Sequence, residues 1–238
     1  MPRLLAVFFA LLLSSCFDIR EEIWIGRDGS GRIDFTYVVP SQALTLAGGE
    51  EEIRKSVETM MSSEPGMHLD RFDITPTDRG TRIEIEARID TLDSLLDLKE
   101  SDTMTRMPPI GEKLMGTFDI RLSPQGIDFE RHIDAGAALG LARLAISPAE
   151  RRERKMEYII HLPTSAKSTN ADQVLDEGRT LVWKRSLGEA LSSPLRMGFQ
   201  APLPIPLWAL ILVPLLLGLG LFFTLRWLRK RRLRRKSA

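Results

Sequence analysis

Apolar and polar positions alternate along this chain in short runs separated by glycine, proline and small polar residues, and the runs pair into hairpins. Arg20 to Gly26 and Arg32 to Val39 are rich in β-formers and flank Arg27-Asp-Gly-Ser-Gly31, a strong turn signal. His68 to Thr75 and Thr81 to Ile89 flank Thr77-Asp-Arg-Gly80 in the same way. Within that pair Ile83, Ile85, Ala87 and Ile89 fall on one face and Arg82, Glu84, Glu86 and Arg88 on the other, the pattern of a strand with one dry side and one wet side. Thr117 to Leu122 and Ile127 to Ile133, around Ser123-Pro-Gln-Gly126, predict a third hairpin, and two later strands are expected at Met156 to Leu162 and Thr180 to Lys184. Between these, Ser41 is a candidate N-cap for a helix whose apolar positions Ile53, Val57, Met60 and Met61 recur at helical spacing, weakened at Gly48-Gly49. Thr91 to Glu100 reads as a short helix and Ser101 to Gly111 as a loop rich in Met and Pro. The order has no regular βαβ beat. The expected fold class is therefore α+β, a mostly antiparallel sheet packed with two or more helices, plus one C-terminal transmembrane helix.

The two ends of the sequence bear on location. Leu4 to Leu13 is a ten-residue apolar run after Arg3, too short to span a bilayer comfortably and suited to a signal peptide. It leads into Leu13-Ser14-Ser15-Cys16, a branched apolar residue, two small residues and the chain's single cysteine, the pattern of a bacterial lipobox. This reading makes Cys16 the lipidated N-terminus of the mature protein, with acyl chains worth about 0.8 kcal/mol per buried CH₂. At the other end, Ala201 to Leu225 is an uncharged run of 25 residues succeeded by eight basic residues between Arg226 and Lys236. By length and by the positive-inside rule it reads as a transmembrane helix with a cytoplasmic tail. The expected organisation is a signal peptide over 1–15, an extracytoplasmic domain over 16–200, a span over 201–225 and a basic tail over 226–238. The expected location is the cytoplasmic membrane, with the domain on its outer side and both anchors entering one leaflet.

Charge changes the picture once the ends are set aside. The chain holds 33 basic and 32 acidic residues, but Arg3 and eight basic residues after position 225 lie outside the middle, which is left at about −8. A domain of that sign is a poor nucleic-acid binder. One cysteine excludes an intramolecular disulfide. His68, His132 and His161 stand far apart with no metal-ligand spacing, and Asp28-Gly-Ser-Gly31 lacks the acidic ladder of a calcium loop. No nucleophile elbow, Walker loop or dinucleotide fingerprint is present, so neither a metal nor a cofactor is expected and no catalytic residue stands out.

One segment departs from the hairpin pattern. Ala135 to Ile146 is small and apolar with Arg143 as its one charge. The plainer reading is a buried connecting helix; the functional one is an apolar surface for lipid, with Leu139, Leu141 and Ile146 as candidate ligand-binding residues.

The lipobox, the hairpin on Asp28-Gly-Ser-Gly31, the late segment His161-Leu-Pro163, Asn170, Gly178-Arg-Thr180 and Trp183, and the apolar C-terminal run with its basic tail together resemble the LppM-type lipoproteins of bacterial envelopes. The resemblance implies an α+β extracytoplasmic domain that binds envelope lipids or glycolipids, and it supplies no catalytic residue. Read from the residues alone, Trp183 is a core aromatic on a strand and Asn170 a loop-capping residue. The functional expectation is a non-enzymatic, membrane-anchored binding domain for membrane lipid or glycolipid. The alternative is a structural or assembly factor that binds another envelope protein, and a hydrolase using an Asp/Glu pair ranks third.

Overall fold

The computed structural model describes residues 18–46, 48–63, 65–78, 80–91, 116–123, 126–140, 143, 146–202, 212 and 215–219. Cys16 with its leader, the loop expected over Ser101 to Gly111, the helix expected after Thr91, and the basic tail lie outside the described residues. The first three hairpins form where the pattern places them. They are β1 (Asp18–Ile25) with β2 (Gly31–Val39), β3 (Met67–Thr77) with β4 (Gly80–Ile89), and β5 (Thr117–Ser123) with β6 (Gly126–Ile133). The first turn closes because Asp28 Oδ1 accepts from the Ser30 amide at 3.0 Å and from its hydroxyl at 2.6 Å, while Gly29 takes a φ of 86°. Helices α1 (Ser41–Leu46) and α2 (Gly49–Ser63) are split at the glycine pair. Next come α3 (Ala135–Leu139), α4 (Pro148–Glu153), β7 (Lys155–His161), β8 (Ser168–Thr169), β9 (Gln173–Leu175), β10 (Thr180–Ser186), α5 (Leu187–Ser192) and β11 (Leu195–Ala201). Ser147 and Ser186 open α4 and α5 with capping boxes, each accepting from the amide of a glutamate three residues on.

Two findings correct the expected fold class. First, the described strands do not form a single antiparallel sheet. Among the described residues seven strands form one sheet in the order β3-β4-β2-β1-β7-β10-β9 and four form another in the order β5-β6-β11-β8. The larger sheet is mixed: β1 and β7 run parallel, with Ile19 opposite Met156 and Trp24 opposite His161. No local turn signal announces a pairing across so long a stretch of chain. Asp18 ties its near end, accepting from the Lys155 amide at 2.9 Å and from Arg154 Nη1 at 3.0 Å.

Second, among the described residues no helix is long and apolar enough to cross a membrane. Ala201 is the last residue of β11, paired with Ile127, and of the rest of 201–225 only 202, 212 and 215–219 are described. The apolar run begins inside a core strand, where Leu195, Met197, Phe199 and Ala201 alternate with exposed or half-buried neighbours. Hydropathy alone does not separate such a strand from the apolar residues after it. Pro202, Pro204, Pro206 and Pro214 also leave no long proline-free stretch in that run.

Period-2 alternation gives the large sheet a dry face and a wet face. On the dry face one end packs against the small sheet through Met156, Tyr158, Ile160, Leu181 and Trp183, which meet Ile133, Leu195, Met197 and Phe199. The other end packs under α2, where Phe72, Ile83, Ile85 and Ala87 meet Met61, Ile53 and Val57; Tyr37 and Val39 belong to both clusters. On the wet face charges pair across strands. Examples are Arg88 with Asp70 at 2.7 Å, Arg71 with Glu86 at 3.3 Å, Lys184 with Glu157 at 2.8 Å and Arg32 with Glu86 at 3.9 Å. Such exposed pairs contribute little stability each, so the dry face carries the fold. Leu181 is fully buried in the main cluster. Leu181→Ala is expected to cost about 2–5 kcal/mol, read as a lower denaturant midpoint with unchanged slope.

Candidate binding site on the wet face

Two polar constellations interrupt this division, one at the junction of the sheets and one on the wet face. At the junction the side chains of Glu21 on β1 and Arg131 on β6 are each 4% exposed and form an ion pair. Tyr37 donates its hydroxyl to Glu21 at 3.2 Å, and the Arg131 guanidinium lies 4.8 Å from the Phe118 ring centre and 5.3 Å from that of Tyr158. Burial, and then the negative charge of Glu21, pushes the Tyr37 and Tyr158 phenols well up, so both stay neutral wherever the fold persists. Beside the pair lies a small cleft with room for about one water molecule, with Ile23, Phe129 and Met197 on its walls. The Tyr158 hydroxyl is buried and finds no hydrogen-bond partner among the described residues.

The wet-face constellation is built by register. Arg32, Trp24 and His161 stand directly opposite one another on β2, β1 and β7. The three flat groups stack: Arg32 lies 5.0 Å from the Trp24 ring centre on one side, and His161 is parallel to the ring within 8° at 5.0 Å on the other. His161 is held from behind, with Nε2 2.8 Å from Glu22 and Nδ1 3.0 Å from the Thr180 hydroxyl oxygen. Thr180 in turn donates to Asp176 at 2.6 Å. Asp176 and Glu177 both sit in left-handed backbone, at φ 50° and 57°, a conformation that aspartate adopts more readily than glutamate. Threonine, histidine and glutamate thus line up as in a nucleophile relay. Thr180 is nevertheless buried, and its hydroxyl proton is committed to Asp176, so the row is suited to rigid positioning and not to attack.

Of the residues singled out in the sequence, Leu139 ends α3 and packs partly buried against the main core, Ile146 is 5% exposed within that core, and Leu141 lies outside the described residues. The described residues do not bring Leu139 and Ile146 to an open groove. Asn170 accepts from the Trp183 indole at 2.9 Å and the Gly198 amide at 2.8 Å and donates to the Arg196 carbonyl at 3.0 Å, tying the β8–β9 loop to both sheets. His68 is exposed 3.2 Å from Asp90, and His132 is exposed on β6. Among the described residues no three metal-ligating side chains converge. Sequence reasoning missed the Trp24 stack because its members come from three strands. The signal was the shared outward phase of Arg32, Trp24 and His161, legible only once β1 and β7 are known to be neighbours.

No family model matches the chain, and no curated protein matches it. Among solved structures it is similar to the folded domain of the LppM protein of Mycobacterium tuberculosis, determined by NMR. That likeness has 16% identity over 80% of this chain and 91% of the other, with a TM-score of 0.43. It is also similar to the mu homology domain of Danio rerio Fcho1 with a bound Eps15 peptide, at 12% identity over 79% of each chain and a TM-score of 0.24. The likeness to the first is at the level of fold only, and the site is argued from this chain's own residues.

Substitution and pH each probe the polar pairs of the two faces. Arg131→Met strands the buried Glu21 charge and is expected to cost about 3–5 kcal/mol, whereas Tyr158→Phe removes only an unpartnered hydroxyl and leaves the denaturant midpoint equal or higher. Burial pushes the Glu157 carboxyl up, but the hydrogen bond from Lys184 and the charges of Arg20 and Lys184 outweigh it and hold it below the usual carboxylate range. A lowered carboxyl contributes stability above the unfolded-state value and loses it as pH falls through the folded one. The midpoint is therefore expected to fall as pH drops below about 4, with a shallower fall in Lys184→Met, in a series of denaturation curves against pH.

Proposed function

We propose that this chain is a lipid-anchored domain of the bacterial cell envelope that binds the headgroup of an envelope lipid or glycolipid and performs no chemistry on it. The sequence supports the anchor through Leu13-Ser14-Ser15-Cys16. The observation that carries the binding reading is the stack of Arg32, Trp24 and His161 on the wet face, fixed from behind by Glu22, Thr180 and Asp176. Because both faces of the indole are covered, the patch offers its apolar edge flanked by a guanidinium and carboxylates. That mixture suits a hydroxyl-rich headgroup, which needs donors and acceptors beside a flat apolar surface, and little side-chain freedom remains to be lost on binding. The junction cavity is lined by a charge pair that already satisfies itself, and it suits an acyl chain poorly.

The test uses the full-length chain purified in detergent, incubated with total envelope lipid and analysed by mass spectrometry for retained species. Retention of one headgroup class by the parent chain is expected, with a drop of at least about tenfold in Trp24→Ala and in His161→Ala at unchanged thermal midpoint. Equal retention by parent and variants excludes the patch. A second reading, attachment to another envelope protein, has its own observation: Val174 and Leu175 on edge strand β9 are 50% and 49% exposed side by side. In that case Leu175→Asp abolishes capture of the partner while lipid retention stays as it was.

A further inference from the structure

The two ends of the described domain leave it at opposite poles. Asp18, which opens β1, is bonded to the start of β7 at Lys155, and Arg154 accepts from the Leu187 amide, so α4 and α5 gather there. Pro202, directly after β11, accepts from the Thr164 hydroxyl at 2.8 Å, three residues beyond the far end of β7. At about 3.3 Å per residue the poles stand about 20 Å apart along the strands.

The Asp18 pole differs in charge from the domain that carries it. Residues 143–155 hold five basic and two acidic side chains, in a middle region with eight more acidic than basic residues. Three of the four acids at this pole are engaged, Asp18 with Arg154 and the Lys155 amide, Glu150 and Glu189 in the capping boxes of α4 and α5, and only Glu153, exposed at the end of α4, offsets the basic side chains around it. Arg151 gives its guanidinium to the neutral carbonyls of Arg143 and Ile146, and Arg143, Arg152 and Lys155 are exposed with no carboxylate partner among the described residues. Cys16 lies two residues before Asp18, within about 7 Å of chain.

We propose that this basic pole seats on an anionic bilayer surface, standing the strands upright on the membrane with the Trp24 patch about 20 Å above it. The inference rests on the reading of Cys16 as the lipidated residue, and it narrows the ligand of the patch. At that height the group within reach is the glycan of a glycolipid, not the headgroup of a simple phospholipid. Basic side chains near an anionic surface each strengthen association by about fivefold, and a short acyl tether at the same pole holds them there.

The test places the full-length chain in vesicles of phosphatidylcholine with or without phosphatidylglycerol. A fluorophore is attached through Ala149→Cys on α4 or Arg27→Cys at the far turn, and a quencher is fixed at the lipid headgroups. Quenching is expected at 149 and not at 27, increased by phosphatidylglycerol and reduced by salt. Removing Arg152 and Lys155 together (R152Q/K155Q) is expected to weaken the seating by about 25-fold. Equal quenching at both sites, or quenching at 149 indifferent to phosphatidylglycerol, overturns the proposal. Lysine cross-links from Lys155 to a second copy of the chain overturn it in favour of self-association. The intact mass of the N-terminal peptide reports the acylation of Cys16 separately; a bare cysteine refutes the anchor, and the quenching is then read in Cys16→Ser chains, where the dye reports from 149 or 27 alone.

Discussion

The buried ion pair between Glu21 and Arg131 is the contact on which the arrangement of the two sheets depends. It joins a strand of the large sheet to a strand of the small one at a place where neither charge reaches water. Two charges so placed are costly unless they find each other and their remaining hydrogen bonds, so any slip of either strand strands a charge. A one-residue slip of β1 would also turn Glu21 outward and bring Arg20 and Glu22 into the core. The pair thus does more to select the register than to add stability. The same register sets Arg32, Trp24 and His161 in line on the opposite face, so the candidate binding surface is a consequence of the junction beneath it.

The three hairpins were legible in the sequence because each is local. Their turns carry glycine at the positions that need it, and their strands alternate with period 2. Helix α2 was legible for the same reason, through Ile53, Val57 and Met61. The parallel pairing of β1 with β7 was not, since it depends on contacts between segments with no turn between them. Nor were β8 and β9, which are only two and three residues long and are held by Asn170, the Gln200 carbonyl and the edge of β10. The strand β11 was hidden in the approach to an apolar run, and the same run suggested a membrane-spanning helix that the described residues do not contain.

Candidate site residues obeyed the same logic. An apolar segment such as Ala135 to Ile146 draws attention beside the charged run after it, yet Ala135 and Ile146 lie in the core and Leu139 packs partly buried against it. Trp24 and His161 drew none, because an aromatic and a histidine on amphipathic strands are ordinary until a neighbouring strand brings them together. The resulting division of labour is spatial. The dry face of the large sheet holds the fold, the wet face presents the stack, and the pole where β1 begins at Asp18 carries the exposed Arg152 and Lys155.

The account turns on whether ligand meets the wet face, and the indole groups of the chain report on that directly. With ¹⁵N-indole tryptophan incorporated into the full-length chain, the Trp24 and Trp183 resonances are compared in bilayers with and without envelope glycolipid. Trp183, fully buried with its indole donated to Asn170, serves as the internal control. The account predicts that the Trp24 resonance shifts with glycolipid while that of Trp183 stays fixed. A shift confined to Trp183, or no shift at either position, contradicts it.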